Sequence, residues 1–120
     1  MTTTSSTFDI DGLTRAIEAR DADGVLASYH EDAVLTVLDR DHPPAAPTVY
    51  SGAEQIGAFY RDVCARNVEH AVRDAVATAD GVAYTEHCRY PDGLGVVCVT
   101  VATTRDGRIK TQTAVQVWDS

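Results

Sequence analysis

Glu86 stands in the alternating segment Val82-Ala83-Tyr84-Thr85-Glu86-His87-Cys88-Arg89-Tyr90. At a period of two, Val82, Tyr84, Glu86, Cys88 and Tyr90 share one face, while Ala83, Thr85, His87 and Arg89 share the other. The first face is the more apolar and is expected to turn inward. A carboxyl group held there loses hydration, which favours its neutral form and suits it to exchange protons near neutral pH. One segment earlier, Val68, His70, Val72 and Val76 alternate with Glu69, Ala71 and Arg73, so His70 is expected to point the same way. More than one role stays open for each residue. Glu86 is either a buried acid/base or a solvated carboxylate at a pocket mouth. His70 either orients Glu86, or acts as the base itself, or simply fills space as a hydrogen-bonded imidazole.

Other polar groups could hold a ligand. Tyr29, Tyr60, Tyr84 and Tyr90 can donate to a carbonyl or serve as amphipathic wall residues. Gln112 and Gln116 share a strand face, and buried amides need partners that a polar ligand or water can supply. Trp118 fits a pocket lid or the core. The run Glu86-His87-Cys88 looks like a metal cluster on paper, but alternation sends His87 to the opposite face, and no second ligand pair has suitable spacing. Asp21 and Asp23 beside Gly24 lack calcium-loop spacing and read as helix caps. Asp39, Asp41 and His42 begin a proline-rich loop, read as solvated. No glycine-rich phosphate loop and no GxSxG elbow occurs. Neither a metal nor a cofactor is expected.

The elements that must position these groups follow from periodicity and punctuation. Residues 9–20 carry Leu13, Ala16 and Ile17 at helical spacing behind an Asp9 cap. A second short helix is expected over 23–30, capped by Asp23 and burying Val25, Leu26 and Tyr29. Residues 33–39 are β-rich and read as a strand. Pro43, Pro44 and Pro47 mark a loop. Ser51 with Glu54 forms a capping box for a third helix that places Ile56, Phe59, Tyr60 and Val63 on one face. Strands are then expected over 68–78, 82–90, 95–104 and 109–118, separated by Asp80-Gly81, Asp92-Gly93 and Asp106-Gly107. Helices first and an antiparallel meander afterwards make the chain α+β.

Two segments carry a family resemblance. One is Arg20-Asp21-Ala22-Asp23-Gly24-Val25-Leu26-Ala27-Ser28-Tyr29-His30-Glu31-Asp32-Ala33; the other is Tyr50-Ser51-Gly52-Ala53-Glu54-Gln55-Ile56-Gly57-Ala58-Phe59-Tyr60. Together with the element order they resemble the SnoaL-like branch of the NTF2-like superfamily, from about Phe8 to Trp118. The resemblance implies a cone: three N-terminal helices packed on a strongly curved, mainly antiparallel sheet that encloses a pocket. It also implies a homodimer through the convex sheet face. In the last strand, apolarity alone would put Val115 and Val117 inside. The resemblance instead puts Gln112, Ala114, Gln116 and Trp118 inside and leaves the valines to a dimer contact. Val97, Val99 and Val101 are expected to line the concave face of the preceding strand. Leu13, Ile17, Leu35, Val37 and Phe59 complete the expected pocket.

The superfamily's ketosteroid isomerases pair an Asp base with a Tyr and a protonated Asp. The matching positions here are Val37, Leu13 and Val101, all apolar. SnoaL-type cyclases resemble this chain too, but their acid/base Asp is expected on the third meander strand, and residues 95–104 contain no Asp or Glu. Any chemistry must therefore have moved to Glu86, His70 and the glutamines. The expected function is proton transfer (isomerisation, cyclisation or dehydration) on a hydrophobic polyketide- or terpenoid-like molecule. A non-catalytic carrier and a dimeric interaction domain are the alternatives.

Composition narrows the partners. The 120 residues suffice for one domain with a real core, expected over 8–120 behind a polar tail at 1–7. A formal charge of -8 repels phosphate backbones and anionic membranes, so neither nucleic acid nor membrane is an expected partner. The three cysteines form no CxxC and read as small buried thiols in a reducing compartment. The N-terminus lacks a basic start and an apolar centre, so a cytoplasmic location is expected.

Overall fold

The computed structural model describes residues 8–119; the tail expected at 1–7 lies outside the described residues. The order is α1 (Ile10–Glu18), α2 (Ala22–Leu26), β1 (Tyr29–Leu38), β2 (Thr48–Ser51), α3 (Gly52–Ala65), β3 (Glu69–Ala77), β4 (Gly81–Arg89), β5 (Gly95–Arg105) and β6 (Arg108–Trp118). One curved, unclosed six-stranded sheet runs β2-β1-β6-β5-β4-β3. All neighbours are antiparallel except β1 and β6, which are parallel. Helix α1 lies against β3, and α3 lies against β1 and α2. Leu13, Ile17, Val25, Leu35, Ile56 and Ile109 are buried between the layers.

Local chemistry sets the boundaries. Asp9 caps α1 by accepting from the Gly12 N–H at 3.0 Å, as its position predicts. Helix α2 is shorter and earlier than the sequence suggested. Asp21, not Asp23, is its cap and accepts from the Gly24 N–H at 3.1 Å. Asp23 then falls in the first turn, where its charge meets the positive helix end. Tyr29 consequently belongs to β1, aligned with Ile109 of β6, rather than to a helix. The short strand β2 was not foreseen; its four residues pair with Val34–Val37. Ser51 precedes α3, but its side chain makes no cap bond. Gln55 Oε1 instead accepts from the Ser51 N–H at 2.8 Å, replacing the expected box with Glu54. Gly52, at φ +83°, allows β2 to pass straight into α3.

Two face assignments need correction. In β3 the pairing runs Arg73 to Thr85 and then Val76 to Ala83, so one extra residue is inserted. Asp74, at φ 56°, forms this bulge. The insertion reverses the alternation, and Val76 turns to solvent at 64% exposure. In β5 the concave residues are Val96, Cys98, Thr100 and Ala102, not Val97, Val99 and Val101. Thr100 aligns with Tyr84, and Ala102 aligns with Gln112. Directly paired residues share a face, so inward Tyr84 and Gln112 fix the β5 register. Val101 is 62% exposed.

Candidate functional site

A cavity of about 260 Å³ lies between the concave sheet face and α3. Each wall comes from a different part of the chain. β1 supplies Leu35 and Val37, and α3 supplies Phe59, Tyr60 and Val63. β4 contributes Tyr84, Glu86 and Cys88, while β6 contributes Gln112, Ala114, Gln116 and Trp118. His70, Tyr90, Val96, Cys98 and Thr100 also line it. Asp39, His42 and Arg66 line it as well, so the Asp39–His42 loop borders the cavity.

Of the residues singled out in the sequence, Glu86, His70, Tyr60, Tyr84, Tyr90, Gln112, Gln116 and Trp118 meet at this cavity. Tyr29 does not line it. It is buried behind the wall, where its hydroxyl bonds to Tyr60 and Gln112. Leu13 and Ile17 are core residues outside the lining, and Val101 is on the opposite face. Pattern reasoning missed Thr100, whose pairing with Tyr84 would have revealed it.

The β3–β4 wall holds a compact polar group. His70 aligns with Cys88, and Val72 aligns with Glu86, so all three polar side chains emerge on one face. His70 Nδ1 lies 2.9 Å from Glu86 Oε2 and 3.3 Å from Cys88 Sγ. Cys88 Sγ lies 3.4 Å from the same Oε2. The imidazole and the thiol therefore both donate to Oε2. Among the described residues no side-chain bond ends on Oε1, which leaves that oxygen open. The His70 side chain is 5% exposed and that of Glu86 is 18% exposed, so the carboxylate is the more accessible partner. His70 Nε2 is buried with no hydrogen-bond partner among the described residues.

The facing wall is arranged differently. Tyr29 donates its single O–H to Gln112 Oε1, a very short contact. It must therefore accept from Tyr60, whose hydroxyl lies 2.6 Å away. Gln112 Nε2 in turn reaches Thr100 Oγ1 at 3.5 Å. The order Tyr60, Tyr29, Gln112, Thr100 spends both phenolic protons internally. Among the described residues, one amide N–H of Gln112, the Tyr84 hydroxyl and the Gln116 amide N–H groups have no side-chain acceptor and are open to a ligand.

Burial sets how readily the cavity groups ionise, and the Glu86 charge adds to it. Burial pushes the Tyr29, Tyr60 and Tyr84 phenols well above their ordinary range, and the Glu86 charge adds to each. Burial, followed by the same carboxylate, also raises the Cys88 thiol and pushes Cys98 up to about 12. At the rim, Tyr90 stacks on Trp118 with ring centres 5.9 Å apart, and Arg40 lies 5.4 Å from the Trp118 ring centre. Trp118 Nε1 donates to Gln116 Oε1 at 3.1 Å, and Arg66 donates to the Tyr90 hydroxyl at 3.3 Å. The rim is thus an aromatic pair fastened by two arginines.

The chain resembles known proteins along most of its length. The sequence model of the SnoaL-like domain family matches residues 10–112. No curated protein matches the sequence. An NTF2-like protein of unknown function from Mesorhizobium loti superposes with a TM-score of 0.77 at 13% identity, covering 90% of this chain and 87% of its own. A candidate ketosteroid isomerase from Kribbella flavida gives 0.74 at 15% identity, covering 92% and 75%. A SnoaL-like protein of unknown function from Burkholderia thailandensis gives 0.62 at 20% identity, covering 92% and 90%. At these identities the structural likeness speaks for the fold alone.

Proposed function

The chain belongs to the SnoaL-like domain family, and from that premise we propose that it is an acid/base enzyme acting on a hydrophobic small molecule. Polyketide- or terpenoid-like compounds fit the mostly apolar cavity. The reaction class is proton transfer, leading to isomerisation, cyclisation or dehydration. One observation carries the reading: a carboxylate on the cavity wall, held through one oxygen by His70 Nδ1 at 2.9 Å and open at the other. Oε1 of Glu86 takes a proton from a carbon beside a substrate carbonyl. The developing oxyanion accepts hydrogen bonds from Tyr84 and the Gln112 amide. Oε1 then returns the proton to another carbon, or to a departing hydroxyl. His70 fixes the carboxyl group by donating to Oε2, which keeps Oε1 turned to the substrate through both steps.

The reading is tested with a panel of hydrophobic ketones and polyols screened for a rise in melting temperature, since a ligand bound only to the native state stabilises it. Compounds that bind are then assayed for turnover. The expected result is turnover that Glu86→Gln abolishes without loss of binding. A carrier is the second reading, favoured by the self-paired Tyr60-Tyr29-Gln112-Thr100 row, which leaves a ligand mainly apolar contacts. It predicts that Glu86→Gln changes nothing, whereas Tyr60→Ala or Trp118→Ala weakens binding.

A homodimer through the convex sheet face belongs to the same proposal. Val99, Val101, Val115 and Val117 form an exposed apolar patch on β5 and β6, with Val101 and Val117 each 62% exposed. Sedimentation velocity should show a dimer that Val117→Lys dissociates; a wild-type monomer at high concentration refutes it. A cytoplasmic location is likewise proposed. No helix among the described residues is long and apolar enough to cross a membrane.

A further inference from the structure

We infer that His70, Glu86 and Cys88 form a site for a thiophilic divalent cation of the zinc type, on the cavity wall between β3 and β4. The three donor atoms Nδ1, Oε2 and Sγ make a triangle with edges of 2.9, 3.3 and 3.4 Å. In tetrahedral zinc, bonds of about 2.0 Å to nitrogen and oxygen and about 2.3 Å to sulfur imply ligand-to-ligand edges of roughly 3.3 to 3.6 Å. The triangle need only open by a few tenths of an ångström, which side-chain rotation supplies without moving the strands.

The backbone explains why the donors converge. His70 and Cys88 are aligned across the β3–β4 ladder, and Glu86 follows on the same face of β4. All three residues line the cavity, so the fourth coordination position opens toward water or a ligand. An imidazole, a carboxylate and a thiolate together suit zinc better than magnesium or calcium, which prefer all-oxygen sites. The missing ligand of the Glu86-His87-Cys88 run is thus His70, on the neighbouring strand and out of reach of spacing arguments.

Proton balance follows from the present hydrogen bonds. Cys88 Sγ–H breaks, and its proton leaves to the buffer as the thiolate binds. The His70 proton moves from Nδ1 to Nε2, with none released. Glu86 binds through Oε2. Each ion therefore releases about one proton near neutral pH. A carboxylate tied to a divalent ion is a weak base, so on the acid/base reading above the ion silences Glu86. That consequence rests on the proposed function; the site itself does not.

The test is a Co²⁺ titration of chelator-treated protein. We expect one Co²⁺ per chain, a near-ultraviolet thiolate-to-cobalt band, and visible bands of tetrahedral intensity, all displaced by Zn²⁺. Calorimetry in two buffers should report about one proton released per ion. Cys88→Ser should remove the near-ultraviolet band and weaken binding by more than about tenfold, whereas Cys64→Ser and Cys98→Ser should leave both intact. No thiolate band in the wild type, or a band that persists in Cys88→Ser, overturns the site. Neither failure touches the Glu86 mechanism, which Glu86→Gln tests through turnover.

Discussion

The two polar walls of the cavity are built on opposite plans. The β3–β4 wall concentrates a carboxylate, an imidazole and a thiol on one oxygen and leaves the other carboxylate oxygen uncommitted. The facing wall strings neutral groups into a closed row, Tyr60 to Tyr29 to Gln112 to Thr100, in which each phenolic proton has a taker. Buried neutral rows that are fully satisfied rigidify a fold. A charged group with an open valence does chemistry or binds a cation. One wall therefore supplies the acid/base, and the other supplies shape and a single amide donor.

The largest effect that could break this comparison comes from Glu86→Gln. The amide keeps the volume but cannot take a proton. Turnover should fall by about 10² to 10⁴, the usual worth of a positioned acid/base, with ligand affinity nearly unchanged. A comparable loss in Tyr29→Phe would place reactivity on the wrong wall. Tyr29→Phe is expected instead to act on stability. It strips Gln112 Oε1 of its donor and Tyr60 of its acceptor inside the protein, which costs about 1–3 kcal/mol. Urea unfolding should show a lower midpoint at unchanged slope.

A smaller, graded effect sharpens the contrast by pH. The phenols of Tyr29, Tyr60 and Tyr84 are raised in the folded protein, first by burial. Above the unfolded phenol value of about 10, the unfolded chain has lost protons that the folded chain keeps. The stabilising contribution is therefore complete below that pH and is lost as pH rises beyond it. Urea midpoints measured into the alkaline range should decline, and the phenolate absorbance of these three residues should appear only with unfolding. Phenolate signal from them in the native state would mean that the neutral wall is wetter than described.

How far the sequence reached depended on what each signal encodes. The Asp-Gly pairs all fell at or beside hairpin connections, and Asp106-Gly107 is a two-residue turn with the positive φ such turns demand, 53° and 75°. Alternation placed Glu86 and His70 correctly, since period two alone decides a strand's face. It failed at Val76, where the Asp74 bulge inserts a residue. It failed again across β5, where the valines looked like the inner face but the pairing with Tyr84 and Gln112 decided otherwise. Apolarity cannot tell a core face from a face awaiting a partner. Tyr29 was foreseen as a ligand contact because its residue type suits one, yet its place in β1 puts it behind the wall. The convergence of His70 with Glu86 and Cys88 depends on cross-strand register, which no single segment carries.

The central claim is that Glu86 moves protons at carbon in this cavity. The most direct measurement is deuterium wash-in: a hydrophobic enolisable ketone that binds the protein is incubated in D₂O, and exchange beside its carbonyl is followed by NMR. The account predicts exchange that depends on wild-type protein and disappears in Glu86→Gln while the ketone still binds. A bound ketone that fails to exchange, or that exchanges equally with Glu86→Gln, would contradict it.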